Sequence, residues 1–375
     1  MNRKDSQDLK ENILTPSRFS ISGSKREMNR STRVVAAAIL SLAAFWLAQR
    51  LPHGMEPARA AVMVRAAQIT EQAIEAVRVE RMHSGVGFDL HTDPNRTGLI
   101  GTETGPLMTT LGQLEAKRTT TNPNIAGLIV SMLQEAGVRA GDKIAVGSSG
   151  SFPALLVASL SAAKAMSLRP VTILSLGASS YGATDPGFTL LDLYELLLRE
   201  RICSVRAAGV SLGGEQDIGI EFQTEVRDRL IRKIQDSGVP FLYQSDLVKN
   251  VAERMRMYES AAPGRIAAFI NSGGGDANIG TSRLVLDLRP GLVLAPALPP
   301  VPERGVLFEA AARGIPVIHL LYVKGLAMQA GLPWDPIPLP RPAVVRQTGS
   351  GPTGGFWLVS AMYFALLLLL IAYPD

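Results

Sequence analysis

The sequence predicts an α/β protein with a doubly wound, mostly parallel sheet of the Rossmann-like kind. About six apolar runs alternate with helical patterns along residues 56–322, which is typical of a sheet covered by helices on both faces. Four of these runs end in loops rich in Gly, Ser, Asn and Asp, at 147–151, 177–182, 213–219 and 271–282. Ligands of parallel sheets bind beyond the carboxyl ends of the strands. The loops therefore also predict where a site lies.

The segment 141–180 is the centre of this prediction. A short β-branched run at 143–146 stops at the turn 147–151, and a helical pattern at 152–167 leads to a second buried strand at 170–176. A strand–helix–strand crossover makes its two strands parallel. The N–H groups of the turn and the positive end of the helix favour an anion such as a carboxylate or phosphate.

The remaining elements continue the alternation. An amphipathic helix at 56–82 and a helix at 125–136 precede the central unit. After it come helix 190–202, strand 205–212, helix 221–237, strand 239–243, helix 246–261, strand 266–270, helix 302–313 and strand 315–322. The Pro-rich stretch 332–342 is predicted to run extended along the surface, because proline is confined to the edges of sheets.

Both ends of the chain carry apolar segments. Residues 34–51 predict a transmembrane or signal-anchor helix, with a cleaved signal peptide ending at Ala60 as the alternative. Residues 356–373 are uncharged and have aromatic residues at both ends, which predicts a second transmembrane helix. A Gly/Pro-rich linker at 346–355 precedes it.

The basic N-terminal tail orients this arrangement. Residues 1–33 are polar and are predicted to form a disordered cytoplasmic tail. Positive charge favours the inner side of a membrane. The domain at 52–345 is therefore expected on the outer face of the cytoplasmic membrane, in contact with the lipid bilayer and with other membrane subunits.

The net charge of +5 does not indicate a nucleic-acid-binding protein. Residues 1–33 hold eight of the 38 Lys and Arg residues and four of the 33 Asp and Glu residues. With these, Arg50 and Asp375 set aside, residues 52–354 carry 29 basic and 28 acidic residues. The basic excess therefore belongs to the N-terminal tail, nucleic-acid binding loses its main support, and no nucleic-acid partner is expected.

A serine hydrolase is one candidate activity. Ser149 or Ser151 would be the nucleophile, with Asp276 and His319 as its partners. The competing interpretation makes Ser151 a helix N-cap and His319 an ordinary strand residue. The turn 147–151 lacks the closing glycine of a nucleophile elbow, so whether the chain is an enzyme stays open.

Anion binding is the second candidate role. Lys117 and Arg118 precede the pair Asn122-Pro123, which is a good helix start, and positive charge beside a helix N-terminus suits a carboxylate. A capped surface helix is an equally good interpretation. The predicted ligand-binding residues are Arg96, Lys117, Arg118, Thr119, Asn122, Ser148, Ser179, Ser180, Asn271 and Asn278.

No metal site and no cofactor is predicted. The four histidines have no zinc-binding spacing, and no Walker A or dinucleotide fingerprint is present. The single cysteine, Cys203, cannot form an intrachain disulfide. Its apolar neighbours predict a buried structural thiol rather than a nucleophile.

Six strings along the chain carry a resemblance to a known family. They are 93–101 (DPNRTGLIG), 115–124 (EAKRTTTNPN), 147–153 (GSSGSFP), 175–186 (SLGASSYGATDP), 271–282 (NSGGGDANIGTS) and 317–340, which contains HLLYVKGLA and GLPWDPIPLP. With these strings the chain resembles the poly-gamma-glutamate system protein family over roughly residues 60–340. That family is a group of bacterial membrane proteins associated with the synthesis and export of a poly-γ-glutamate capsule.

The resemblance implies an accessory, membrane-anchored component that binds poly-γ-glutamate or partner subunits. It brings no catalytic residues with it. A hydrolase or transferase acting on γ-glutamyl chains, and a receptor-like domain for a small anionic ligand, are the alternatives. A carboxylate-rich ligand suits Arg96, Lys117 and Arg118, although a nearly neutral domain favours holding a chain end over a long polyanion track.

Overall fold

The structure, a computed structural model, describes residues 30–50, 57–85, 87–261, 263–345 and 354–372. The chain divides into two compact units, one formed by its two ends, 1–54 and 351–375, and one by residues 55–350. Most of the predicted tail, at 1–29, and most of the predicted linker, at 346–353, lie outside the described residues.

Helices and strands alternate through the larger unit as the sequence predicts. Within the described residues the helices are α1 (Arg30–Arg50), α2 (Pro57–His83), α3 (Leu114–Thr120), α4 (Asn124–Glu135), α5 (Pro153–Ala165), α6 (Leu190–Arg199), α7 (Thr224–Ser237), α8 (Leu247–Ser260), α9 (Asp276–Ile279), α10 (Val306–Ala312), α11 (Val323–Gln329) and α12 (Gly354–Ala372). The strands are β1 (Met108–Thr110), β2 (Lys143–Ser149), β3 (Arg169–Ser175), β4 (Ala178–Ser179), β5 (Gly209–Ser211), β6 (Phe241–Leu242), β7 (Ile266–Ser272), β8 (Gly291–Val293) and β9 (Val317–His319). Short 3₁₀ turns lie at Glu215–Asp217, Arg283–Asp287 and Val301–Glu303.

The main sheet confirms the predicted α/β class. Among the described residues it has seven strands in the order β6-β5-β3-β2-β7-β9-β8, and the only antiparallel pair among them is β8 with β9. Strands β1 and β4 form a separate parallel pair. Parallel neighbours need crossover connections, and the helices between the strands supply them.

Side chains of the central strands alternate between two apolar cores. Ile144 and Val146 on β2 belong to the core shared with α2, α4, α5 and α6, whereas Ala145 belongs to the core shared with α8 and α10. The period of two places successive side chains on opposite faces. The sheet is therefore covered by helices on both faces, and the doubly wound prediction is confirmed.

Local capping explains where several helices begin and end. Thr189 and Asp192 form a reciprocal capping box at the start of α6, and the Asp246 carboxylate accepts the Lys249 N–H at the start of α8. Helix α7 ends at Ser237 and is capped by Gly238, whose φ of +69° is left-handed.

The strand bounds differ from the predictions in instructive ways. Strand β2 continues through the Gly/Ser sequence to Ser149, beyond the predicted end at residue 146, since its N–H and C=O groups pair on both sides with β3 and β7. The predicted strand 205–212 shortens to three residues in β5. The short elements β1, β4, β8, α3, α9 and α11 were not predicted.

The smaller unit contains helices α1 and α12. These helices pack together, and Ser41 Oγ lies 2.9 Å from the Tyr363 hydroxyl. Helix α1 begins at Arg30, inside the segment expected to be disordered. Across the ranges that the structure describes, no helix has both the length and the apolarity needed to span a membrane.

Candidate functional site

The strand order creates a crevice beside β2. From β2 the chain proceeds to β3, β5 and β6 on one side of the sheet, and it then returns to β7 on the other side. The direction of winding reverses between β2 and β7, and such a reversal leaves a crevice beyond the carboxyl ends of the two strands. The predicted convergence of the strand-end loops is observed there.

A cavity of about 580 Å³ lies at this edge of the sheet. Five of the predicted site residues line it, namely Lys117, Ser149, Ser151, Ser179 and Asp276. The other lining residues include Thr109, Thr110, Gly112, Gln113, Phe152, Ser175, Gly177, Gly213, Gly214, Glu215, Glu221, Gly274, Gly275, Tyr322, Lys324 and Trp334. The size suits a small molecule or one end of a chain rather than a folded partner.

Lys117 is the most unusual side chain of the cavity. Only 2% of Lys117 is exposed, although lysine is almost never buried without a charged partner. Its ammonium group donates to Ser179 Oγ at 2.6 Å and to the Ser151 carbonyl oxygen. It also lies 3.7 Å from the centre of the Phe152 ring. Burial lowers the pKa of Lys117 to about 7.

Three carboxylates form a second charged group in the same cavity. Glu221 accepts the Glu215 N–H at 2.7 Å. Asp276 lies close enough to both residues for their negative charges to repel its own. Burial, followed by these neighbouring charges, raises the pKa of Asp276. The cavity therefore contains carboxylates that can bind a cationic group, in addition to the amines of Lys117 and Lys324.

Ser175 connects the cavity to a buried polar network beneath it. The Ser175 hydroxyl lies 2.9 Å from the Ser211 hydroxyl, and both contact Asp217 Oδ1. Arg254 donates to Asp217 Oδ2 at 2.5 Å and to both serines. Since every one of these residues is buried, the network fixes the ends of β3 and β5 under the cavity.

Arg118 and Thr119 do not contribute to the cavity in the expected way. Arg118 forms a two-pronged ion pair with Asp335, with Nε 2.6 Å from Oδ1 and Nη2 2.5 Å from Oδ2. Thr119 Oγ1 accepts the Asp335 N–H at 2.9 Å. These bonds hold the segment that carries Trp334 against α3. Arg118 is therefore a positioning residue, not a free cation for a ligand.

Asn122 and Arg96, two more of the predicted ligand-binding residues, do not line the cavity. Asn122 Oδ1 accepts the Asn124 N–H at 3.0 Å, but α4 begins at Asn124 and its N-cap position is occupied by Pro123, one residue later than the predicted N-cap. Arg96 is exposed, with a φ of +53°, in the loop before β1.

The predicted hydrolase triad is not assembled. His319 Nδ1 lies 3.0 Å from the Asn271 side-chain nitrogen, and burial lowers the pKa of His319 to about 4. Both residues lie behind the cavity, on the neighbouring strands β9 and β7. Asp276 lines the cavity together with Ser149 and Ser151, but His319 is not among the lining residues.

Ser151 is not the N-cap of α5. The residue that precedes the helix is Phe152, whose side chain cannot cap it, and Ser151 Oγ accepts the Ser179 N–H at 3.0 Å instead. Ser149 Oγ is 3.4 Å from the Ser151 N–H. A Cβ on Gly273 would approach Ser149 Oγ to 2.5 Å, so Ser149 is tightly enclosed on that side.

Three other predicted residues are buried near the strand ends. Ser148 Oγ and Asn278 Oδ1 form no hydrogen bond within the described residues. Gly147 could not carry a Cβ there, because that atom would lie 2.8 Å from Asn278 Oδ1. Ser180 Oγ contacts the Met108 sulfur at 3.4 Å. These side chains support the wall of the cavity rather than line it.

Sequence reasoning missed Phe152, Glu221, Lys324 and Trp334. Phe152, Lys324 and Trp334 fall in strings that carry the resemblance. Phe152 directly follows a Gly/Ser turn, where an aromatic residue is a usable signal. Lys324 lies over the Trp334 ring, 5.7 Å from its centre. Nothing in the local pattern distinguishes Glu221 from the other charges of a solvated helix.

A larger cavity, of about 730 Å³, lies between α6 and α7 and away from the strand ends. It is lined by Arg199, Arg206, Arg229, Arg232 and Lys233 together with Glu195 and Asp236. Lys233 forms an ion pair with Asp192. Its mixed charges are those of an ordinary helix groove, so the cavity beside β2 is the stronger site.

Within the described residues, no cluster of three His, Cys, Asp or Glu side chains has the arrangement of a metal site.

Comparisons with known proteins do not assign the chain to a group. The chain has no match among protein-family models, among curated proteins or among solved structures.

Proposed function

We propose that the chain is a membrane-anchored accessory component of a bacterial poly-γ-glutamate synthesis or export system. One observation carries the proposal. Five of the six strings that underlie the resemblance, all except 93–101, contribute residues to the single cavity beside β2. Three of these strings follow parallel strands and meet at the carboxyl edge of the sheet as the fold requires, and the strings 115–124 and 317–340 join them there through Lys117, Lys324 and Trp334.

The cavity suits the amino-terminal unit of a γ-glutamyl chain. That unit carries an ammonium group, a carboxylate and an amide bond. Glu215, Glu221 and Asp276 offer acceptors for the ammonium group, and Lys324 offers a cation for the carboxylate. A neutral domain with both charges in one cavity holds a zwitterionic chain end better than the uniformly negative length of the polymer.

Binding measurements on the full-length protein in detergent test this proposal. We expect it to bind short γ-linked glutamate oligomers and poly-γ-glutamate, and to bind the α-linked polymer at least about tenfold more weakly, a difference of about 1.4 kcal/mol. Acetylation of the amino terminus of the oligomer should reduce affinity by a similar factor, since the carboxylates lose their ammonium partner.

Charge variants locate the binding to the cavity. Lys324→Ala should weaken oligomer binding about tenfold. Lys249→Ala removes the same charge from an exposed position on α8 and should leave affinity unchanged. Binding of glutamate and short oligomers without binding of the polymer would favour the receptor-like alternative. Equal loss in both variants would contradict the assignment to this cavity.

Membrane anchoring belongs to the same proposal and rests on the apolar segments 34–51 and 356–373. Cells that express the full-length protein should retain it in the membrane pellet after an alkaline carbonate wash. Complete release into the supernatant would contradict anchoring. It would leave the ligand-binding part of the proposal intact.

A further inference from the structure

The cavity contains a serine and a lysine in direct contact. Lys117 Nζ lies 2.6 Å from Ser179 Oγ, within the range expected for a nucleophile and its general base. Within the described residues, no carboxylate lies within ion-pair distance of Lys117 Nζ. A lysine without a counter-charge is the form of this residue that can lose its proton near neutral pH.

The surroundings of Lys117 act in opposite directions on its proton. The Ser151 carbonyl and the face of the Phe152 ring favour the ammonium form. Burial opposes them and is the larger effect, so that the pKa falls to about 7. Uncharged Lys117 is then accessible near neutral pH, and an uncharged amine can accept the hydroxyl proton of Ser179.

Ser179 is held in position from several sides. It belongs to β4, which pairs with β1 through Thr110, and its N–H donates to Ser151 Oγ at 3.0 Å. Lys117 also donates to the carbonyl oxygen of Ser151, so Ser151 holds both the serine and the lysine in place. A Cβ on Gly112 would lie 3.1 Å from Ser179 Oγ and 3.2 Å from Lys117 Cε, so the serine and the lysine are enclosed by backbone on that side.

We propose that Ser179 is a nucleophile, that Lys117 is its general base, and that the cavity catalyses acyl transfer from an amide or ester. This pair uses neither His319 nor Asp276, whereas the hydrolase predicted from the sequence would use both. Ser179 is the nucleophile rather than Ser151 because Lys117 Nζ contacts the Ser179 hydroxyl, whereas its bond to Ser151 goes to the backbone carbonyl oxygen.

The reaction follows from these contacts. Uncharged Lys117 takes the proton of the Ser179 hydroxyl as Oγ attacks the carbonyl carbon of the substrate. The carbon–nitrogen or carbon–oxygen bond of the substrate then breaks, and Lys117 returns the proton to the leaving amine or alcohol. Water or a second amine attacks the serine ester, gives its proton to Lys117 and releases the acyl group, and Lys117 restores the proton to Ser179.

An alkyl fluorophosphonate tests the pair without any assumption about the natural substrate. Ser179 Oγ would form a bond to phosphorus and expel fluoride, and the adduct is located by mass spectrometry of peptides from the full-length protein. We expect labelling at Ser179, with a rate that rises with pH to a plateau and a midpoint near pH 7, where Lys117 loses its proton. A midpoint above pH 9, or labelling elsewhere only, would overturn the proposal.

Variants separate catalysis from packing. Lys117→Met and Lys117→Arg should both slow labelling at least about 100-fold, because neither side chain can accept a proton. Ser179→Ala should abolish it. Ser161→Ala removes a buried hydroxyl from α5, outside the cavity, and should label at the wild-type rate. Slowing of similar size in Ser161→Ala would mean that the loss reflects damage to the fold, and the proposal would fail.

Incubation of the protein with poly-γ-glutamate distinguishes this inference from the proposed function. Shortening of the polymer that is lost in Ser179→Ala, with polymer binding retained, would support both. Binding without labelling or shortening would overturn the catalytic pair and leave the binding proposal standing. Labelling of Ser179 without any polymer binding would support the pair and count against the polymer as ligand.

Discussion

Arg254 and Asp217 form an ion pair that is closed off from solvent beneath the candidate site. Arg254 Nη2 lies 2.5 Å from Asp217 Oδ2, and the exposed fractions of the two side chains are 0% and 5%. Asn250 joins them, with its amide nitrogen 3.0 Å from Asp217 Oδ2 and its oxygen accepting from Arg254 Nε. Helix α8 is thereby bound to the ends of β3 and β5.

We predict that breaking this pair destabilises the domain strongly. Arg254→Met leaves the Asp217 carboxylate buried without its cation and should lower the free energy of unfolding by about 3–5 kcal/mol. Urea denaturation followed by circular dichroism measures the change. Arg78→Met removes one partner of the exposed pair with Glu75 and should cost less than about 1 kcal/mol. Equal losses would show that the buried pair contributes nothing specific.

The second prediction concerns stability at alkaline pH. The pKa of Lys117 is about 7 in the folded protein, against its ordinary value of 10.5, so between these values the unfolded chain binds more protons. The free energy of unfolding should therefore gain a contribution that rises with pH by up to about 1.4 kcal/mol per pH unit. Lys117→Met should remove that contribution, as urea titrations between pH 7 and 10 would reveal. An unchanged slope would mean that Lys117 keeps an ordinary pKa.

The third prediction concerns His319 at acidic pH. Burial lowers its pKa from 6.5 to about 4, so the stability contributed by keeping the ring neutral is present above pH 6.5 and is lost as the pH falls toward 4. The loss should reach about 3 kcal/mol. His319→Gln should flatten the pH dependence of unfolding in this range, because glutamine does not titrate. A variant that loses stability as steeply as the wild type would contradict the buried neutral ring.

The fourth prediction uses the tight packing at Gly112. A Cβ at this position would lie 2.6 Å from the Ser180 carbonyl oxygen. Because this oxygen belongs to the backbone, it cannot move away without an energetic cost. Gly112→Ala should lower the free energy of unfolding by about 1–3 kcal/mol, the cost of overpacking. Gly275→Ala is the matched control, since nothing lies within 4 Å of its added Cβ, and its stability should change by less than about 0.5 kcal/mol.

Strong periodic patterns predicted the main architecture, and short elements escaped prediction. Helices such as α2 and α5 carry enough apolar positions to be recognised without tertiary information. Strands β1, β4 and β8 have two or three residues each. Their existence depends on partners far away in the chain, such as the pairing of Met108 with Ala178, and such pairing leaves no local signal.

The sequence predicted the edge of the sheet at which the cavity lies, but not which groups contact one another in it. Gly/Ser loops after apolar runs were sufficient to select Ser149, Ser151, Ser179 and Asp276 as neighbours of one crevice. Lys117 was expected to bind an anion beside a helix N-terminus. Only the fold shows that it is buried against Phe152 and Ser179, since lysine in a polar sequence string reads as exposed.

The bonds from Arg118 and Thr119 to Asp335 have a consequence for the order in which the protein is completed during synthesis. The lining of the cavity runs from Thr109 to Trp334, whereas the last strand of the sheet, β9, ends at His319. Chains grow from the N-terminus, and earlier segments fold first. A chain that stops soon after His319 would possess every strand of the sheet but lack one wall of the cavity. Ligand binding would thus report that translation has passed Asp335, whereas folding of the sheet alone would not.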